Sequence, residues 1–291
     1  MPRGITLLQI LYICNNGVVF EMPQDAGQTI DIARIISERT GKKIPRFLAG
    51  MMERFIHQDF INGYLSQGYE GVEFCTECIK YLGITLHVKG LDELEIPDGA
   101  KLTYASNHPL GGADGIALIG LIGSTMKRPL KLMVNDFLMN VKGLAPMCVP
   151  VNKLGGQSKN LSTHVDGIFS SEADIIMFPS GKCSRKIDGV IQDPQWKKTF
   201  ITKSIDNRRW IVPIHFIGRN SNHFYRVDSF CKALGIKFNV PMLFLPDELH
   251  RAKGQEYSIV FGKPIPPSRF DSSKSPLQWA QVIREEVYNL Q

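Results

Sequence analysis

From residue 84 onward, short apolar runs alternate with segments in which apolar residues return every three or four positions. The runs at 84–88, 102–106, 130–134, 147–151, 174–178, 210–216 and 257–261 predict strands. The stretches between them, for example 160–171 and 194–204, predict helices. A last helix over 277–290 carries Trp279, Val282, Ile283 and Val287 on one face. Strands alternating with helices predict an α/β fold, a mixed sheet flanked by helices, with functional groups at the C-terminal ends of the strands.

Before residue 84 the pattern is helical. Residues 30–39 predict one helix, ended by Gly41-Lys42-Lys43. Over 44–60, Ile44, Phe47, Leu48, Met51, Met52, Phe55, Ile56 and Phe60 recur at three- and four-residue steps, with Lys42, Lys43, Arg46 and Arg54 beside them. A basic amphipathic helix of this kind suits an anionic membrane surface. The same face can instead pack on the domain core, the reading we favour, and both hold if the helix lines a lipid groove. Val72, Phe74, Cys75, Cys78, Ile79 and Leu82 mark a further helical stretch. Residues 4–20 lack charge, and Ile5 to Ile13 resembles a short signal core after Arg3, but Asn15-Asn16 interrupts it and no small-residue cleavage site follows. A weak anchor, a secretory signal and an over-extended start compete here; we favour the last, with Met22 as the better start. The expected organisation is an N-terminal extension over 1–28, an N-terminal helical segment over 29–83 and an α/β domain over 84–291.

Composition narrows the partners. A chain of 291 residues, 43% hydrophobic and 21% charged, can bury a large core as one domain with an appendage. A net charge of +6 suits anionic partners: lipid headgroups, phosphate-bearing substrates, an acidic carrier protein or nucleic acid. No nucleic-acid motif or aromatic-basic interleaving is visible, so nucleic acid is set aside. No apolar run reaches the length that spans a bilayer. Cys75-Thr76-Glu77-Cys78 lacks the second pair that a zinc site needs and sits in a helical pattern, so we read it as core filler; the cysteine usage fits a reducing cytoplasm.

The segment Asn107-His108-Pro109-Leu110-Gly111-Gly112-Ala113-Asp114-Gly115 carries the candidate chemistry. It follows a predicted strand and opens the apolar run Ile116 to Ile122, which reads as a helix. A carboxylate in the first turn is favoured by the helix dipole. If the Gly-Gly turn folds back, Asp114 can hold one nitrogen of His108 and leave the other to take a proton from a hydroxyl. The plain alternative is a loop His and a capping Asp; the Gly pair, which lets backbone come close to something, argues against it.

Three more blocks follow in order: Val134-Asn135-Asp136-Phe137-Leu138 through Gly143-Leu144-Ala145-Pro146 to Val149-Pro150-Val151-Asn152-Lys153; Met177-Phe178-Pro179-Ser180-Gly181-Lys182-Cys183-Ser184-Arg185-Lys186; and Ile211-Val212-Pro213-Ile214-His215. Over residues 84–265 this succession resembles the glycerolipid acyltransferase superfamily, which includes the lysophosphatidate (PlsC-like) enzymes. Its hallmark is His, four residues, Asp, then a Phe-Pro-Glu-Gly block and a Val-Pro block. The variant spelled here resembles a bacterial, hemolysin-like branch linked to O-acylation of aminolipids such as ornithine or glycine lipids. Two departures stand out. Five residues separate His108 from Asp114, which a Gly-Gly turn can absorb, and Ser180 stands where the family has its acceptor-binding Glu, with Lys182-Cys183 in place of Thr-Arg. The second departure points to an acceptor other than a glycerol phosphate.

The resemblance implies an O-acyltransferase of membrane lipid synthesis. His108 and Asp114 would be its catalytic pair, and no resident cofactor or metal is called for. Substrate binding would fall to Asn107, Gly111 and Gly112 in the first block and Lys153 in the second. In the third it would fall to Phe178, Pro179, Ser180, Gly181, Ser184, Arg185 and Lys186. The acyl donor would be an acyl carrier protein or coenzyme A thioester, and the acceptor a lyso-lipid reached from the cytoplasmic face of the membrane by a peripherally bound protein. No Gly-x-Ser-x-Gly elbow is present, so direct attack of the acceptor on the thioester is preferred to an acyl-enzyme. Backbone amides near Gly111, Gly112 or Gly181 are the candidates for the oxyanion. A lipid esterase or thioesterase with the same pair, and a non-catalytic binding protein, remain as other readings.

Residues 182–209 hold eight basic residues (Lys182, Arg185, Lys186, Lys197, Lys198, Lys203, Arg208, Arg209) against three acidic ones and form the expected anion-facing region. Asn220 to Tyr225 reads as a cap for a helix starting near Tyr225, and His215 as a core histidine.

Overall fold

A computed structural model describes residues 29–34, 37, 43–134, 138, 141–151, 165–236 and 239–291. Its strands are β1 (Thr85–Lys89), β2 (Leu102–Ser106), β3 (Leu130–Val134), β4 (Cys148–Pro150), β5 (Asp174–Met177), β6 (Arg185–Ile187), β7 (Val190–Gln192), β8 (Trp210–Ile217) and β9 (Glu256–Phe261). Seven of them make one sheet in the order β1-β9-β8-β2-β5-β3-β4. Every pairing in it is parallel except β8 with β9, so the sheet is mixed, as expected. All residues of β2 and β5 are buried, as strands covered on both faces require.

The helices with both ends among the described residues are α1 (Arg46–Phe55), α2 (Gln58–Leu65), α3 (Gly71–Leu82), α4 (Ala113–Met126), α5 (Thr199–Asp206), α6 (Asn222–Ala233), α7 (Leu245–Arg251) and α8 (Pro276–Asn289). Strand alternation splits the core in two. Leu102 and Tyr104 face a layer containing Phe74, Cys75, Cys78, Leu82, Leu118 and Ile122. Ala105, Ile175 and Met177 face a layer containing Phe169, Trp196, Phe200, Trp279 and Ile283. Cys75 and Cys78 are therefore core residues, and burial pushes the Cys78 thiol up to about 12. Helix α4 lies tight on α3: a Cβ at Gly123 would meet Val72 at 2.5 Å, and one at Gly120 would meet the Thr76 amide at 3.2 Å. This packing fixes the helix that carries Asp114.

Several local expectations change. The stretch 44–60 is two helices, because His57 adopts a left-handed conformation (φ 53°). Its ring stacks on His250 and its Nε2 lies 2.7 Å from Asp247. Nor does the apolar face of α1 pack on the core, for no residue of α1 is buried. Helix α5 starts at Thr199 rather than 194, since the Lys197 amide bonds the Pro179 carbonyl at 3.0 Å instead of closing a helical turn. The β6–β7 hairpin was not anticipated, although Asp188-Gly189 spells its turn: both residues have positive φ, as a tight two-residue hairpin requires. Ser221 caps α6, accepting from the Phe224 amide, so the cap stands but the helix begins at Asn222. His215 is satisfied by the Leu290 carbonyl at 2.9 Å. The described parts of the expected helices over 30–39 and 160–171, residues 32–34, 37 and 165–170, are helical, and the rest of both, with residues 1–28, lies outside the described residues.

Candidate active site

Strands β2 and β5 deliver the first and third sequence blocks to one edge of the sheet, and the fourth block lies within β8, on the other side of β2. The chain leaves β2 at Asn107. That side chain extends the β2–β8 ladder: its Nδ2 donates to the Phe216 carbonyl at 2.9 Å and its Oδ1 accepts the Phe216 amide at 2.7 Å. Asn107 thus fixes the point at which His108 departs from the sheet.

His108 Nδ1 lies 2.9 Å from Asp114 Oδ2. The same oxygen accepts the Leu110 amide at 2.9 Å and the Gly111 amide at 3.3 Å, and Oδ1 accepts the Gly115 amide at 2.9 Å. A carboxylate can only accept, so Nδ1 carries the hydrogen and Nε2 the lone pair. Asp114 is fully buried, and burial alone would disfavour its charge. The His108 charge and hydrogen bond, with the Leu110 and Gly115 amides, outweigh burial and hold the carboxyl below its ordinary value. The five-residue spacing is absorbed at Gly111, whose φ of +78° lets the loop fold back. A Cβ there would also stand 2.7 Å from Leu245 Cδ2 and 3.2 Å from Cys183 Sγ, so any larger residue would push the loop off its support.

From the third block, Phe178 stacks on the His108 ring with centroids 3.9 Å apart. The Ser184 amide donates to the His108 carbonyl at 2.7 Å. Gly181 takes the left-handed turn (φ +66°) that returns the chain after Phe178, with Lys197 Nζ against its Cα. The Pro179 carbonyl is occupied by the Lys197 amide, and Ser180 Oγ bonds the Lys182 carbonyl at 2.6 Å. Gly112, with open space at its Cα, precedes α4. Lys186 is exposed on the hairpin, and Lys153 lies outside the described residues.

The basic stretch does not form one anion-facing surface. Arg185 is buried: its Nε lies 3.0 Å from Asp228 Oδ1, its Nη2 bonds Asn239 Oδ1 and its Nη1 bonds the Cys183 carbonyl. Arg209 is buried at the opposite end of the sheet. There it ties the Phe169, Ser171, Ala173 and Leu102 carbonyls together. Lys203 pairs with Asp166. Lys182, Lys186, Lys197 and Lys198 stay exposed.

Sequence reasoning missed Asp193. It is fully buried, and its carboxylate accepts the His108 amide at 3.1 Å, Ser184 Oγ at 2.6 Å and Trp196 Nε1 at 3.0 Å. An Asp-Pro-x-Trp run inside an otherwise basic stretch was the available signal.

Fold and site together are those of an α/β protein that presents a carboxylate-oriented imidazole where its parallel strands end. The model of the acyltransferase family matches residues 34–291, and the chain belongs to that family. The resemblance read from the four blocks is borne out at that level. A lyso-glycine lipid O-acyltransferase of Phocaeicola vulgatus is 46% identical over 277 residues, covering 94% of this chain and 99% of that protein. A second lyso-glycine lipid O-acyltransferase, from Bacteroides thetaiotaomicron, is 45% identical over 274 residues, covering 92% and 100%. Among solved structures, the 1-acyl-sn-glycerophosphate acyltransferase PlsC of Thermotoga maritima aligns with a TM-score of 0.47 at 13% identity, over 88% of this chain and 87% of that one.

Proposed function

We propose that this chain moves a fatty acyl group from a thioester to the hydroxyl of a lyso-glycine lipid or a closely similar lyso-aminolipid, with His108 as base and Asp114 as its orienting partner. The observation that carries this reading is the 2.9 Å bond from His108 Nδ1 to a fully buried carboxylate. His108 Nε2 takes the acceptor's hydroxyl proton as that oxygen attacks the thioester carbonyl, and Asp114 stabilises the imidazolium. Collapse of the tetrahedral intermediate breaks the C–S bond, and the proton passes from Nε2 to the leaving thiolate. Of the three glycine amides considered for the oxyanion, those of Gly111 and Gly181 bond Asp114 and the Phe178 carbonyl, which favours Gly112 at the start of α4.

The names of the two relatives support the acceptor. So does the chemistry of the third block: Arg185 is neutralised by Asp228, and Ser180 is turned onto backbone, so neither is arranged as a phosphate clamp. The exposed lysines at 182, 186, 197 and 198 suit an anionic donor, either acyl carrier protein or coenzyme A.

Among the described residues no helix is long and apolar enough to cross a membrane. A peripheral mode is supported by α1, where Phe47 (83% exposed), Met51 and Phe55 form one apolar edge beside Lys43, Arg46 and Arg54. The Phe55 ring meets Phe244 at 5.1 Å, and the next residue, Leu245, packs on Gly111, so the edge leads toward the His108 loop. Free thiols at Cys75, Cys78, Cys148, Cys183 and Cys231 support the cytoplasmic face. Phe47→Asp is expected to weaken sedimentation with anionic vesicles about 10- to 100-fold, the worth of one buried Phe. Unchanged sedimentation would remove α1 from the membrane contact.

The test of the reaction is a transfer assay with labelled acyl-carrier-protein and acyl-coenzyme A donors. A hydroxyl-bearing N-acylglycine and lysophosphatidate are offered in parallel. O-acylated N-acylglycine is the expected product. Product from lysophosphatidate alone would overturn the acceptor, and free fatty acid alone would make the protein a hydrolase.

A further inference from the structure

We propose that Asp193 is a positioning residue for the reaction: it clamps the main chain of His108 so that the imidazole meets the acceptor hydroxyl in register. This rests on His108 being the base.

Both main-chain polar groups of His108 are taken by one short segment. Its N–H donates to the Asp193 carboxylate, at 3.1 Å to Oδ1 and 3.2 Å to Oδ2, and its carbonyl accepts the Ser184 amide at 2.7 Å. Ser184 Oγ closes the ring by donating to Asp193 Oδ1 at 2.6 Å. Trp196 Nε1 holds the other oxygen at 3.0 Å, so the carboxylate is met by donors on both sides. Asp193 is itself held from α8: its amide donates to Tyr288 Oη at 2.8 Å and its carbonyl accepts Arg284 Nη2 at 2.8 Å. His108 is therefore gripped twice, at the ring by Asp114 and at the peptide by Asp193 with Ser184.

Burying a carboxylate is costly, and a hydroxyl or amide could join two loops for less. Burial indeed pushes the Asp193 carboxyl up, with the Ser184 and His108 hydrogen bonds pulling back. An acceptor with no hydrogen of its own does what those groups cannot. It takes the His108 amide, the serine hydroxyl and the indole at once, and leaves none of them a second orientation. Geometry at a base is steep: a misplacement of about 1 Å can cost about 100-fold in rate.

The experiment compares Asp193→Asn, Ser184→Ala, His108→Ala and the double variant His108→Ala/Asp193→Asn. Asn can offer oxygen to only one side, so its NH2 opposes either the His108 N–H or the indole N–H. Asp193→Asn is expected to lower kcat about 100-fold with KM for both substrates within about threefold. Ser184→Ala is expected to lower kcat by about tenfold, again without a change in KM. In the His108→Ala background, Asp193→Asn should cost nothing more, because its effect passes through the imidazole. A merely structural role would instead lower the double variant further, in proportion to lost folded protein, and would overturn the proposal. Wild-type kcat in Asp193→Asn, or in Ser184→Ala should the former not fold, would also overturn it. Loss of activity in Asp193→Asn with none in His108→Ala would place the fault in the assignment of the base.

Discussion

His108→Ala should lower kcat for acyl transfer by about 10³-fold, within the range expected for removal of a positioned general base. The expectation follows from the tautomer. Asp114 holds the proton on Nδ1, so Nε2 is the basic atom, and the side chain retains partial exposure (17%) through which an acceptor can reach it. Folding should change little, because Asp114 keeps the Leu110, Gly111 and Gly115 amides. Truncation also leaves a flat space against Phe178, where the imidazole was stacked. Added imidazole should therefore restore part of the rate, more at pH values where it is neutral. Initial rates, KM and Tm on one preparation make the check. Turnover within about threefold of wild type would remove His108 from the chemistry, since a base is worth at least about 100-fold.

Much of this site was legible because it is local in sequence. His108 and Gly111 lie on the loop that enters α4 and Asp114 in the first turn of that helix, so spacing and the glycine pair carry the geometry. Strand ends were legible to within a residue: the apolar runs ending at Ser106 and Phe178 fall side by side as β2 and β5, the latter closing at Met177, which brings Phe178 onto His108. What failed to read was non-local. Arg185 follows a strand end and looks like an anion ligand, but Asp228 and Asn239, distant in sequence, claim it. Arg209 sits in a run of basic residues, yet the sheet carries it to the far edge, where backbone carbonyls need a donor. Asp193 escaped because its bond to the His108 amide exists only once the loop before α5 meets the loop after β2. The apolar face of α1 was read as core because periodicity reports that a face is apolar and says nothing of what covers it.

Asp114→Asn should cut kcat by about 10³-fold or more, and by a different route. The amide has one oxygen where the carboxylate has two, and Asp114 serves four donors. With its oxygen toward His108, the NH2 group faces the Gly115 N–H, and the imidazolium loses its counter-charge. With the amide reversed, His108 must carry its proton on Nε2 and can no longer accept one there. Both orientations leave a folded protein with a disabled base. The pH dependence of stability separates this charge from the others. Asp114 is held below its ordinary value, so its ionisation contributes stability above the ordinary carboxylate range of about pH 4. That contribution is lost as pH falls through the depressed value. Asp174 and Asp193 are pushed up by burial, act with the opposite sign, and are common to both proteins. On acidification from neutral pH, the Tm of Asp114→Asn should therefore fall less than that of wild type, although it starts lower. Parallel melting curves would mean that the buried carboxylate carries no depressed pKa, and that His108 is oriented by hydrogen bonding without the help of charge.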